Sequence, residues 1–140
     1  MVLYDHGSNS ILAELLISCS EREIIRSTCI LHSYLSDCGL APQYQMLYNE
    51  CPGGLKQFLH NSSVKLQLVP LHLHHTNATK RVIQTYKDHL VAGLSNCNPN
   101  APLHLWDHLI SHATLALNLL CPSRLNTILS AEAQLNGAFD

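Results

Sequence analysis

The fold of this chain is decided by residues 20–39, which read SEREIIRSTCILHSYLSDCG. Ser20 and Glu23 have the spacing of a capping box, which satisfies the first backbone N–H groups of a helix. One helical face then carries Ile24, Thr28, Leu31 and Leu35, and the run ends at Gly39, where a left-handed cap forms easily. This pattern predicts a long helix.

The segments on both sides of this helix have the patterns of β-strands. Val2 to Tyr4 and Ile11 to Leu16 are short apolar runs separated by turn-forming residues, so they predict a β-hairpin. After the helix, Tyr44 to Leu47 form a short strand, and residues 64–69 alternate like a half-buried strand. A brief helix between these two strands ends near Asn61.

Three more helices follow, and they complete an α/β order. The first presents Val82, Ile83, Tyr86 and Leu90 on one face and closes at Gly93. The second begins near Pro102, ends near Leu120, and places Leu105, Trp106 and Leu109 in the core. The third covers residues 130–135. Strands that alternate with helices in this way predict an α/β layer fold with a mixed sheet.

Length and composition limit the architecture and the partners. The chain has 140 residues, 46% of them apolar, which fits one compact domain. A net charge of -2 excludes a strong cationic field, so any nucleic-acid site must be a local patch. The start lacks the features of a signal peptide, and no apolar run is long enough for a membrane span, so we expect a reducing compartment.

Several motifs, in their order and spacing, resemble the integrase core of copia-type retrotransposon polyproteins. The likeness spans nearly the whole chain, including its tail at residues 117–120, 129–131 and 137–140. The motifs that carry it are Tyr48-Asn49-Glu50-Cys51, Gln67-Leu68-Val69-Pro70, His72-Leu73-His74, Asn77-Ala78-Thr79-Lys80-Arg81 and Pro102-Leu103-His104-Leu105-Trp106-Asp107.

The resemblance implies a ribonuclease-H-like mixed sheet flanked by helices and, in intact members, DNA strand transfer by two Mg²⁺ ions. Three carboxylates hold the metals in the family, because hard cations prefer oxygen ligands. Here Tyr48 occupies the position of the second Asp, and Lys80 occupies that of the Glu. The family's first strand, which is central and carries the first Asp, aligns before Met1, so we expect the fold to lack it.

These departures predict a degenerate, catalytically inactive remnant of an integrase core that needs no cofactor. Residues 1–95 would form the partial core-like domain, and residues 96–140 a helical extension packed on it. Residual DNA binding, weak and salt-sensitive at most, is assigned to the helix that approaches DNA in the family, and a solvated helix face is the preferred interpretation of its cations. The residues of this weak site are Asn77, Lys80, Arg81 and Lys87, with Lys56 as a possible neighbour. A recruited protein- or DNA-binding module without catalysis is the alternative, and an active metal-dependent nuclease or integrase is a third hypothesis.

Two other groups of residues suggest metal binding. Asp5 and Glu50 could approach each other as substitute Mg²⁺ ligands, but two carboxylates make a poor site, so we interpret them as a turn residue and a solvated residue. Three loop histidines invite a zinc interpretation, although only a spatial neighbour such as Cys51 could complete the ligands: His72, His74 and His75. We interpret these as ordinary loop histidines.

Overall fold

The computed structural model describes residues 1–48, 51–69, 78–98, 100, 102 and 105–137. Along these residues the elements are β1 (Val2–Asp5), β2 (Ser10–Ala13), α1 (Glu21–Asp37), β3 (Tyr44–Tyr48), α2 (Gly53–Asn61), β4 (Lys65–Val69), α3 (Ala78–Ser95), α4 (His108–Leu120) and α5 (Ala131–Asn136). The predicted α/β class is therefore confirmed, and every predicted strand and helix has a counterpart.

The described strands form two sheets of two strands each, whereas the sequence predicted one mixed sheet. β1 pairs antiparallel with β2, in a register that places Tyr4 opposite Ile11. β3 pairs parallel with β4, from Tyr44 opposite Lys65 to Tyr48 opposite Val69. Each pair is held by a local connection, a tight turn for the first and the crossover helix α2 for the second. No hydrogen-bonded ladder among the described strands joins the two pairs.

The chain divides into two compact units, and the first comprises Met1 and residues 16–77. In this unit α1 begins as predicted, because the Ser20 hydroxyl accepts a hydrogen bond from the Glu23 N–H at 3.4 Å. It also ends as predicted. Gly39 adopts a φ of 76°, its N–H bonds the carbonyl of Ser36, and the next N–H bonds that of Leu35.

The core of the first unit lies between α1, α2 and the β3–β4 sheet. Three residues at and after α2 are buried, namely Leu55, Leu59 and Val64. The half-buried side chains that pack against them come from both neighbouring helices and both strands: Ile24, Ile25, Leu47, Cys51, Phe58 and Leu66. The apolar faces of α1, α2, β3 and β4 therefore pack together in one cluster.

The second unit combines residues 2–15 with residues 78–140. Its core contains Ile11 of β2, Tyr86 of α3, and Ala113 and Leu117 of α4. Asn118 of α4 is also buried, and it bonds the backbone of Ile11 twice. Its side-chain oxygen accepts the Ile11 N–H at 2.8 Å, and its amide nitrogen donates to the Ile11 carbonyl at 2.9 Å. The Asn118 side chain therefore satisfies both backbone polar groups of Ile11 at the edge of β2.

Three details of the predicted helices are wrong. Helix α3 does not close at Gly93 but continues to Ser95, since the i to i−4 bonds persist through Asn96. Helix α4 begins at His108 rather than near Pro102, and its N-cap is Asp107. Trp106 therefore precedes the helix and is 43% exposed instead of lying in the core. Leu105, beside it, is also exposed. The division into residues 1–95 and 96–140 stays a prediction.

Candidate nucleic-acid interface

Helix α3 carries the predicted cations, and its apolar face decides which way they point. Tyr86 is buried in the core of the second unit, where half-buried Val82 and Leu90 pack beside it. The Tyr86 hydroxyl donates a hydrogen bond to the carbonyl of Ile110 on α4 at 3.2 Å. Because the apolar face packs in the core and the Tyr86 hydroxyl is hydrogen-bonded, the orientation of α3 about its own axis is fixed.

That rotation leaves the three cations of α3 in solvent. Lys80, Arg81 and Lys87 are all exposed. Lys80 and Lys87 are two turns apart, so they share a face and are separated by about 10 Å along the axis. Gln84, which lies between the two lysines, donates a hydrogen bond to the carboxylate of Asp88 at 2.7 Å. This part of the helix surface therefore presents three cations against one carboxylate, and none of the three forms an ion pair with another described residue.

The other predicted contacts are placed differently. Asn77 lies outside the described residues, so its role stays a prediction. Lys56 is exposed on α2 in the first unit, while α3 belongs to the second. The expected proximity of Lys56 to the cations of α3 also stays a prediction.

The positions that the resemblance assigns to metal ligands hold no carboxylate. Tyr48 is the last residue of β3 and is in register with Val69, the last residue of β4. The carboxyl end of parallel strands is where α/β proteins commonly build their sites. Lys80 lies in the first turn of α3. A phenol is neutral below a pH near 10 and an ammonium is cationic, so these residues do not fit Mg²⁺.

Asp5 is engaged in the turn between β1 and β2. Its Oδ2 atom accepts hydrogen bonds from the backbone N–H of Ser8 at 2.7 Å and from the Ser8 hydroxyl at 2.6 Å. This is the role of a turn residue, and it agrees with our interpretation of the sequence. Glu50, the proposed partner of Asp5, lies outside the described residues.

The zinc hypothesis involves one described residue, Cys51. Burial raises the pKa of this thiol, and the nearby Lys56 opposes that effect more weakly. The Cys51 thiol donates to the carbonyl of Pro52 at 3.6 Å. Zinc binds the thiolate form, which a raised pKa disfavours. His72, His74 and His75 lie outside the described residues, and no three His, Cys, Asp or Glu side chains within the described ranges are grouped to hold a metal.

One basic group was not predicted from the sequence. Lys56, His60 and Lys65 line a single groove in the first unit, with Ser63 beside them. Lys56 and His60 are four residues apart on a predicted helix, which places them on one face. That spacing was a usable signal, whereas the approach of Lys65 depends on the turn after α2.

The fold resembles that of a known protein. One chain of the cryo-EM structure of the simian T-cell lymphotropic virus intasome in complex with PP2A regulatory subunit B56 gamma superposes with a TM-score of 0.75 at 18% identity. The match covers 98% of this chain and 48% of that chain, so this chain spans about half the length of its structural neighbour. The likeness shows a shared fold. No protein-family model and no curated protein matches the sequence.

Within the parts of the chain that the structure describes, no helix combines the length and the apolar character required to cross a bilayer.

Proposed function

We propose that this chain is a degenerate relative of integrase cores that has kept the fold, has lost metal-dependent catalysis, and binds nucleic acid weakly through α3. The observation that carries the proposal is the structural likeness to a chain of a retroviral intasome complex over 98% of this chain. A match of that extent compares the order and the fold of nearly all elements of this chain and does not depend on one shared motif.

The finer assignment, to copia-type cores with a ribonuclease-H-like fold, rests on the sequence motifs and is supported by the strand pairing. The resemblance places a central strand between the strand corresponding to β1 and the strand corresponding to β3. The described strands pair as β1 with β2 and as β3 with β4. An antiparallel pair and a parallel pair are what remain of such a sheet when its central strand is left out.

Inactivity follows from charge. Strand transfer by two metal ions needs ligands that bring the cations together and offset their mutual repulsion. Lys80 adds a positive charge where the family has a carboxylate, and Tyr48 supplies no charge at neutral pH. Tyr48 and Lys80 do not fit Mg²⁺, so the proposal includes no catalytic step through this metal.

An activity assay tests this part of the proposal. The full chain is titrated with Mg²⁺ and with Mn²⁺ in strand-transfer and nicking assays, beside the variants Asp5→Asn and Glu50→Gln. We expect no activity above that of the protein-free reaction. Metal-dependent activity that disappears in either variant would overturn the proposal in favour of an active nuclease or integrase.

A salt titration tests the nucleic-acid contact. If all three cations of α3 touch phosphates of duplex DNA, the slope of log K against log salt is no steeper than about -3. We expect the charge reversal Lys80→Glu with Lys87→Glu to abolish this salt-dependent binding in fluorescence anisotropy. Arg22→Glu, at an exposed position of α1, is the matched control and should leave the binding unchanged. Equal binding by the α3 variant and the control would contradict the assignment.

A recruited protein-binding module is the second candidate, and exposed apolar residues at the end of α4 and in the segment after it favour it. Leu120 is 77% exposed and Ile128 is 91% exposed. Contiguous exposed apolar patches on monomeric proteins commonly mark interaction sites.

A further inference from the structure

We propose that Lys56, His60 and Lys65 form a binding site for a phosphate group in the first unit, separate from the cations of α3. The groove that these residues line has a volume of about 430 Å³. Pockets for small ligands occupy ~300–1,000 Å³. This inference does not depend on the proposed integrase ancestry.

The local fold brings the three cationic or ionisable groups to one groove. Lys56 and His60 lie one helical turn apart on the exposed side of α2. The chain then reverses at Ser63, which has a φ of 58°, and its N–H bonds the carbonyl of His60 at 3.1 Å. Because of this reversal Lys65, at the start of β4, faces the same groove.

Lys65 is oriented without being neutralised. Its Nζ atom lies 5.3 Å from the centroid of the Tyr44 ring, which is a cation–π contact. Such a contact restrains the side chain but leaves its three N–H donors available. No acidic residue lines the groove, and neither Lys56 nor Lys65 forms an ion pair with another described residue. The nearby Glu21 carboxylate accepts the N–H of Gly54 instead.

The C-terminal end of α2 is near the groove, and its partial negative charge opposes an anion. That effect is small at a solvent-exposed helix end and is screened by salt. The last carbonyls of α2 are also occupied, since Ser62, Ser63 and Val64 donate their N–H groups to Phe58, His60 and Leu59. Two full lysine charges outweigh this residual dipole.

The ligand class follows from the donors. Two ammonium groups, an imidazole and the hydroxyl of Ser63 are all groups that can donate hydrogen bonds to phosphate oxygens. Buried Val64 and half-buried Leu66 form an apolar lining beside them. This combination suits an organic phosphate, with its source either a small nucleotide or the backbone of a single-stranded nucleic acid.

The test is an NMR titration of the full ¹⁵N-labelled chain with three probes, namely inorganic phosphate, adenosine monophosphate and a single-stranded oligodeoxythymidine. We expect saturable amide shifts at residues 56–66. The double variant Lys56→Ala with Lys65→Ala should weaken them about tenfold, since each lysine supplies a separate phosphate contact. Arg22→Ala, at an exposed position of α1 outside both basic groups, is the control and should bind the probes at residues 56–66 as the wild type does.

The outcomes are distinct. If the oligonucleotide binds more tightly than the mononucleotide and with a linear salt dependence, the source is a nucleic-acid backbone; equal affinities indicate a small phosphate. The absence of saturable shifts in residues 56–66 with all three probes overturns the inference. So does unchanged affinity in the Lys56, Lys65 variant, whose fold is checked from its remaining amide signals. Failure of the α3 assay alone would affect only the proposed function.

Discussion

His32 is a buried histidine whose surroundings oppose its protonation. It is 8% exposed on α1, and its ring lies 6.4 Å from that of Phe58. Burial lowers the pKa of His32, and the neighbouring Gln45 side chain acts weakly in the opposite direction. Gln45 Oε1 is itself buried and makes no well-formed hydrogen bond with any described residue.

This environment predicts a loss of stability in acid. Because the pKa of His32 in the folded chain is below the ordinary 6.5, the unfolded chain binds the proton more readily. The contribution of neutral, buried His32 to the free energy of unfolding is complete above pH 6.5 and is lost as the pH falls below that value. The measurement is the free energy of unfolding in urea between pH 7.5 and pH 5. The variant His32→Gln should reduce the dependence of this free energy on pH, whereas the exposed control His60→Gln should leave it as in the wild type. Identical slopes in both variants would contradict this assignment.

Gly54 and Gly53 are adjacent glycines with different surroundings. A Cβ atom at Gly54 would lie 2.8 Å from Oε1 of Glu21, which accepts the Gly54 N–H, while one at Gly53 would meet nothing within 4 Å. The N-cap of α2 is Pro52, whose side chain makes no capping bond. Glu21 therefore caps α2 from a neighbouring helix.

We expect Gly54→Ala to be less stable than Gly53→Ala by about 1 kcal/mol in urea unfolding, because the new methyl group displaces the capping carboxylate. The comparison is matched, since both substitutions give the same change of helix propensity in the same helical turn. In a Glu21→Ala background the difference should vanish. Equal stabilities of the two alanine variants in the wild-type background would show that Glu21 contributes nothing.

At the scale of elements, the edge of β2 depends on one side chain of α4. Asn118 is 1% exposed and supplies both a donor and an acceptor to Ile11. Asn118→Leu keeps a similar volume but leaves a buried N–H and a buried carbonyl without partners. We expect the free energy of unfolding to fall by about 2–4 kcal/mol, measured by urea denaturation. Ser111→Leu, exposed on the same helix, should change it by less than about 0.5 kcal/mol. A stable Asn118→Leu variant would contradict this role.

The features that could be predicted from sequence are the local ones. The start and end of α1 follow from Ser20 and Gly39, because a cap is decided by a few consecutive residues. The pairing of Asn118 with Ile11 joins residues 107 positions apart, and a lone Asn in an apolar helix carries no signal of its partner. Trp106 was misplaced because the start of α4 was predicted too early.

The candidate sites show the same limit. The exposure of Lys80 and Lys87 follows from the apolar period of α3, so periodicity was enough to predict it. The groove of Lys56 and Lys65 also requires Ser63 to adopt a left-handed conformation, which a non-glycine residue adopts infrequently. Sequence patterns give no direct indication of that choice.

The chain as a whole carries few charged residues for a globular domain. Charged residues make up 13% of the chain, against about 25% in typical globular domains. Leu120, the last residue of α4, and Leu125 and Ile128, which follow the helix, are all exposed. Association of chains through such a segment removes apolar surface from water.

We expect concentration-dependent self-association in sedimentation velocity, and a shift toward monomer in the variant Leu120→Ser with Ile128→Ser. Both side chains are exposed, so the stability of the chain should be nearly unchanged. Ile17→Ser, at an 85% exposed position of the first unit, is the control and should associate as the wild type does. A monomer at every concentration would show that the segment is merely tolerated in solvent.

The hydrogen bonds between Asn118 and Ile11 also bear on how a ribosome delivers this protein. β2 is synthesised before α4, and the amide that bonds the Ile11 backbone at the edge of β2 follows 107 residues later. At a translation rate of roughly 5–20 residues per second, the hairpin waits roughly 5–20 s with that edge bare. The first unit, contiguous apart from Met1, emerges completely during this interval. Until α4 emerges, the edge of the nascent hairpin at Ile11 is therefore open to pairing with strands of neighbouring chains on a polysome.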